Sequence, residues 1–198
     1  MQWPSRCALA LVAALGIASC GLQDSQRCGA SVRDVPLKAF LRAGDAQFLD
    51  ALGHVRSEAS NCPGDPMLLP YLFYGALRTG QPAEALAAYE AMAGGSAIPP
   101  DIHADAGLIY SERGEYPEAI ESLSEAIAAE AAADLRLARA KAYVALGKHD
   151  SAVSDLQAVV EQARAHRSDE PAGFASVGDN VYLAEAEDLL AKALEQTR

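Results

Sequence analysis

Phe73-Tyr-Gly-Ala-Leu-Arg-Thr-Gly80-Gln-Pro-Ala-Glu-Ala85-Leu86-Ala-Ala-Tyr89 superimposes on two later stretches of the same chain. The second is Gly107-Leu-Ile-Tyr110-Ser-Glu-Arg-Gly114-Glu-Tyr-Pro-Glu-Ala119-Ile120-Glu-Ser-Leu123. The third is Ala140-Lys-Ala-Tyr143-Val-Ala-Leu-Gly147-Lys-His-Asp-Ser-Ala152-Val153-Ser-Asp-Leu156. Gly80, Gly114 and Gly147 lie 34 and 33 residues apart, and an alanine follows each of them five residues later. An aliphatic residue comes next, then a large apolar one three positions further on. A fixed period of this length marks a stacked repeat, in which each unit buries its apolar face only against its neighbours. Glycine at the same place in each unit suits a turn that needs φ > 0 between two helices. Alanine in the following helix lets two backbones approach, and the large apolar residues fill the seam between units.

These three segments resemble the tetratricopeptide repeat (TPR), an antiparallel helix pair of 34 residues with a late aromatic in its first helix. Tyr110 and Tyr143 occupy the aromatic position, and Ala76 replaces it in the first segment. The early tryptophan of the family's motif is missing throughout, and its closing proline is met only loosely, by Pro99 and Pro100. The resemblance covers roughly residues 66–166. It implies an all-α, right-handed solenoid of antiparallel helix pairs, with repeats at 66–99, 100–132 and 133–166. A degenerate pair at 33–65 is expected to precede them, with Val35–Ala43 and Asp45–Ser60 flanking Gly44. A polar loop at 167–180 is expected before a capping helix at 181–198, whose Leu183, Ala186, Leu190 and Leu194 fall at helical spacing. Such a cap covers the open end of an array. No run of alternating β-branched residues between turn signals appears, which argues against a sheet.

Residues 1–19 read as an export signal. Arg6 supplies a positive start, and the apolar stretch Cys7–Ile17 would make a helix about 16 Å long, half of a hydrocarbon core. That length suits a signal peptide rather than a span. The stretch ends in Ile17-Ala18-Ser19-Cys20, which resembles the lipobox of bacterial lipoproteins. The resemblance implies cleavage before Cys20 and lipidation of that residue, followed by a tether at 20–32. Several acyl chains make a stable anchor where one would not. Gly21, rather than Asp, follows the cysteine, and by analogy with enterobacterial lipoproteins this points to the outer membrane, facing the periplasm.

With Cys7 and Cys20 assigned to the signal and the anchor, Cys28 and Cys62 remain, at the two ends of the degenerate helix pair. An antiparallel pair brings those ends together. Export to an oxidising compartment then favours a disulfide over two separate thiols.

The formal net charge of −11 disfavours nucleic acid as a partner. Asp101-Ile-His103-Ala-Asp105 superficially resembles a metal run, but on a helix these alternate positions point in divergent directions. No Gly-rich phosphate loop, G-x-S-x-G elbow or cysteine with a placed base occurs in the sequence. We therefore expect a binding protein rather than an enzyme, with no cofactor and no metal.

In TPR proteins the first helices of the repeats line a concave groove for a peptide. Carried over position by position, the groove would present Tyr71, Tyr74 and Arg78 from the first repeat. Asp101, Asp105, Leu108 and Glu112 would come from the second, and Asp134, Ala138 and Lys141 from the third. Within each helix these positions are 3, 4 or 7 apart and so share a face. Their charges suggest a peptide of basic or mixed charge, and the groove lacks the basic constellation with which chaperone-binding TPR domains grip a carboxylate. The expected function is that of a lipid-anchored scaffold or adaptor for protein–protein interaction in the bacterial envelope. The alternatives are a pilotin-like assembly factor for a secretin or pilus, and a soluble periplasmic ligand-binding module.

Overall fold

The computed structural model describes residues 28–93, 97–169 and 177–197. The export signal, Cys20, most of the tether and part of the loop before the last helix lie outside them. The described residues form nine helices and no strand. They are α1 (Leu37–Arg42), α2 (Asp45–Asn61), α3 (Leu69–Arg78), α4 (Pro82–Met92) and α5 (Pro100–Glu112). After these come α6 (Tyr116–Ala129), α7 (Ala133–Ala145), α8 (His149–Asp169) and α9 (Val177–Gln196). The chain divides into two compact units, one ending at Tyr71 and the other beginning at Leu72.

In the first unit α1 and α2 pack on each other around Phe40, Phe48, Leu52 and Val55, all buried. The rings of Phe40 and Phe48 meet at 5.0 Å between centroids. Cys28 and Cys62 form a disulfide, with Cα atoms 5.8 Å apart. The residues after Cys28, assigned from the sequence to a tether, are instead held in place. The Glu58 carboxylate accepts hydrogen bonds from the backbone N–H of Ala30 (2.6 Å) and of Ser31 (3.0 Å). Val32 is buried, and Gly29 makes the turn with φ +72°. Burial works to raise the Glu58 pKa, but the hydrogen bonds from Ser31, Ala30 and Gly29 outweigh it and hold the carboxyl below its ordinary value.

The second unit shows the repeat atom by atom. Gly80, Gly114 and Gly147 have φ of +68°, +76° and +69°. The residue after each glycine donates its N–H to a carbonyl five residues back. The pairs are Gln81 to Ala76 (2.8 Å), Glu115 to Tyr110 (2.9 Å) and Lys148 to Tyr143 (2.9 Å). Each glycine donates to a carbonyl three residues back, at 3.0–3.1 Å. This is the Schellman C-cap, which satisfies carbonyls that the end of a helix would leave orphaned. A Cβ on any of the three would meet nothing within 4 Å, so glycine is there for its backbone conformation and not for room. Pro82 and Pro117 stand in the first turn of the next helix, where a missing N–H costs nothing.

The repeat alanines Ala85, Ala119 and Ala152 are fully buried, as are Leu123 and Leu156. Consecutive helices pack from α4 to α9, and α5 also touches α7, so first helices of adjacent repeats are neighbours. Two helices come close at Gly107 on α5, where a Cβ would lie 2.6 Å from Leu123 Cγ and 3.1 Å from the Leu123 backbone nitrogen.

The cap differs in detail from the expectation. Helix α8 continues to Asp169 and α9 begins at Val177, so the intervening loop is shorter than 167–180. The packed stripe of α9 includes Leu183, Ala186 and Ala193, all buried, with Leu190 packed beside them. Leu194 is 39% exposed, and the neighbouring Ala193 takes the buried place instead.

Candidate functional site

The furrow between α5 and α7 holds two adjoining hollows. One, of about 350 Å³, is lined by residues that include Asp101, Asp105, Glu130 and Asp134. The other, of about 540 Å³, is lined by residues that include Leu108, Leu135, Ala138, Lys141, Tyr116 and Tyr182. Leu108, Asp134 and Leu135 belong to both. The helical period explains the alignment, since residues 101, 105, 108 and 112 form one stripe of α5 and 134, 138 and 141 one stripe of α7. Leu108 is 40% exposed and, with Leu135 and the 42% exposed Tyr182, leaves apolar surface in the furrow open to solvent.

The first hollow is acidic on every charged side, for no Lys, Arg or His lines it. Asp101 accepts a hydrogen bond from the Tyr74 hydroxyl at 2.7 Å, and Asp134 accepts one from the backbone N–H of Leu135 at 2.9 Å. Asp105 is half-buried. Burial, with the Asp101 charge adding to it, pushes its carboxyl pKa up. Burial and the same two aspartates raise Tyr74 far above the ordinary phenol value, so its hydroxyl stays a donor.

The second hollow is mainly apolar with a charged rim. Lys141 on that rim is paired with Glu185 of α9 at 2.7 Å, and Glu112 lines the same hollow. Ser111, in the hollow's wall, has a hydroxyl oxygen shielded from water with no hydrogen-bond partner.

Seven of the ten residues that the sequence places in a groove therefore meet here: Asp101, Asp105, Leu108, Glu112, Asp134, Ala138 and Lys141. The three from α3 do not line these hollows. Tyr71 belongs to the first unit, where its ring lies edge-on to Phe40 and its hydroxyl donates to the Val35 carbonyl. Tyr74 lies beside the acidic hollow as the donor to Asp101, with its ring against Phe73. Arg78 is exposed near the end of α3. Tyr182, Tyr116, Leu135 and Glu130 were not legible as groove residues. Tyr182 arrives through the docking of α9 on α7 and α8, which no local spacing announces.

His103 does not share the acidic stripe. It turns to Tyr89, whose hydroxyl lies 2.8 Å from its Nδ1 and donates toward Ser122 Oγ at 3.0 Å. Among the described residues no group of three or more His, Cys, Asp or Glu side chains is placed to hold a metal ion.

No protein-family model matches the chain, and no curated protein matches it. Two crystal structures of MamA are similar. One is 20% identical with a TM-score of 0.53, covering 81% of this chain and 91% of that one. The other is 19% identical with a TM-score of 0.49, covering 77% and 90%. At this identity the first likeness speaks to fold alone. Together with the repeating Schellman turns and buried alanines, it shows that the chain has the TPR-type helical fold of MamA.

Proposed function

We propose that this protein is a scaffold that binds a segment of another protein in the furrow between α5 and α7, and that it is held in the bacterial envelope by lipid on Cys20. The observation that carries the binding half is the open apolar floor at Leu108 beside a desolvated carboxylate, Asp105, with no counter-charge in the hollow. Neither feature helps the isolated chain, since apolar surface left in water gains nothing on folding and a half-buried unpaired acid costs stability. Each is what a partner would cover. The TPR-type fold supports the same reading, because stacked first helices offer a long surface rather than a closed cleft. The role is one of gathering proteins and not of chemistry.

The anchor half rests on Ile17-Ala18-Ser19-Cys20 at the end of the apolar stretch, and Gly21 after the cysteine supports the outer membrane, facing the periplasm, as its location. No helix among the described residues is long and apolar enough to cross a membrane.

Two experiments test the halves separately. Metabolic labelling with an alkyne fatty acid should mark wild type and leave Cys20→Ala unlabelled; equal labelling of both removes the anchor. Affinity purification after crosslinking in cells should recover an envelope protein with wild type and lose it with Leu108→Ser/Leu135→Ser. Equal recovery by the two proteins would move the binding surface elsewhere.

A further inference from the structure

The two hollows are arranged in a way that specifies the occupant more closely than "a peptide". Along α5, Pro100, Asp101, Ala104 and Asp105 line the acidic hollow and Ser111 and Glu112 the apolar one, with Leu108 between. At the start of α7, Ala132, Asp134 and Leu135 line the acidic hollow, and Asp134, Leu135, Leu137, Ala138, Lys141 and Ala142 line the apolar one. The hollows therefore lie end to end in the direction of the helices. At ~1.5 Å of rise per residue their centres are about 6–10 Å apart.

Their chemistry is complementary to opposite kinds of side chain. Four carboxylates line the acidic end, where Asp105 is half-buried beside Asp101. At the apolar end Lys141, the one cation among the described lining residues, is already engaged by Glu185 at 2.7 Å. An extended chain advances ~3.3 Å per residue, so two side chains two or three positions apart span the distance between the hollows.

We infer that the occupant of this furrow is an extended segment of a partner protein in which a Lys or Arg enters the acidic hollow and a large apolar side chain, two or three residues away, covers Leu108, Leu135 and Tyr182. This rests on the reading of the furrow as the binding surface and adds the chemistry and register of what it binds. The basic group supplies Asp105 with the counter-charge it lacks, in a partly desolvated place where such a pair is screened less than on the open surface. The apolar group removes from water the surface that Leu108 now exposes. An acidic segment would set like charges together at the first hollow and be rejected there.

The test is a selection of random dodecapeptides displayed on phage against the purified full chain and, in parallel, against Asp105→Asn/Asp134→Asn and Leu108→Ser. Helical circular dichroism of each variant, matching wild type, establishes that it is folded. Peptides enriched on wild type should carry Lys or Arg two or three positions from Phe, Tyr, Trp, Leu or Met at least ten times more often than the input library. Enrichment of that pairing should fall at least tenfold on each variant. Peptides that are lost on Leu108→Ser yet show no excess of basic residues would overturn the inference and leave the furrow as the binding surface. Peptides that bind wild type and all variants alike would overturn both. Failure to enrich any peptide would overturn the inference as well.

Discussion

Arg139 on α7 grips Asp155 on α8 with two hydrogen bonds, Nε to Oδ2 at 2.8 Å and Nη2 to Oδ1 at 2.7 Å. Asp155 is among the most buried polar residues of the second unit, at 3% exposure. Arg139 also donates to Ser124 Oγ on α6 at 2.9 Å and lies over the Tyr143 ring, so one guanidinium ties three helices. The hydrogen bonds to Asp155 raise the Arg139 pKa against the opposing effect of burial. Removing one partner of such a pair strands a charge out of water, which costs about 3–5 kcal/mol. Asp155→Ala should therefore lower stability by that amount in urea denaturation. Asp155→Asn, which keeps some hydrogen bonding, should lose less.

Gly107 faces a different constraint. Its φ is ordinary, and the limit is room, because any Cβ would press on Leu123. Gly107→Ala should cost about 1–3 kcal/mol through overpacking. Leu123→Ala costs its own cavity, but in the double variant the two losses should be less than additive, since the smaller neighbour relieves the clash. A thermal-denaturation double-mutant cycle measures this. Gly80→Ala, with open space around it, should lose about 1 kcal/mol from backbone conformation alone.

The disulfide between Cys28 and Cys62 closes a loop with a sequence separation of 34. By the chain-entropy relation, opening it should cost about 4 kcal/mol. The loss should appear in the first unit, whose core is small. Hydrogen exchange with and without reductant should show Phe48–Val55 exchanging faster after reduction while Leu137–Val160 keeps its protection.

Asp105 and Glu58 respond to pH with opposite signs. The Asp105 pKa is raised in the folded chain, so the folded state binds its proton more readily than the unfolded one. Its ionisation therefore takes stability away as pH rises through the window between the ordinary carboxylate value and the raised one. Asp105→Asn should stabilise the free chain slightly, by less than about 1 kcal/mol after solvent screening, while weakening capture of a basic peptide. Glu58 is lowered, so its grip on Ala30 and Ser31 is present above the ordinary value and lost as pH falls through the lowered one. Following unfolding from pH 7 to pH 3 in wild type, Asp105→Asn and Glu58→Gln separates these contributions.

Much of this architecture was legible because each repeat is built from local rules. A Schellman turn demands glycine, a close helix crossing demands alanine, and the same demands recur every 33 or 34 residues. The stripes of α5 and α7 that line the furrow follow from the helical period for the same reason. What the sequence concealed depends on contacts between distant segments. Tyr182 reaches the furrow only because α9 docks as it does, and Arg139 finds Asp155 across two helices. Tyr71 and Tyr74 have the residue type of binding anchors, yet their hydroxyls are engaged by Val35 and Asp101. Residues 28–32 look like a linker by composition, and it is the Glu58 carboxylate and the disulfide to Cys62 that fix them.

The furrow as a protein-binding surface is tested most directly by placing a photo-crosslinking amino acid at single sites and irradiating living cells. Leu108 and Tyr182 lie in the furrow and are exposed, and Glu121 on α6 is exposed outside it. The account predicts a discrete adduct with the same envelope protein from Leu108 and Tyr182 and none from Glu121. Adducts that form equally at all three sites, or from Glu121 alone, would contradict it.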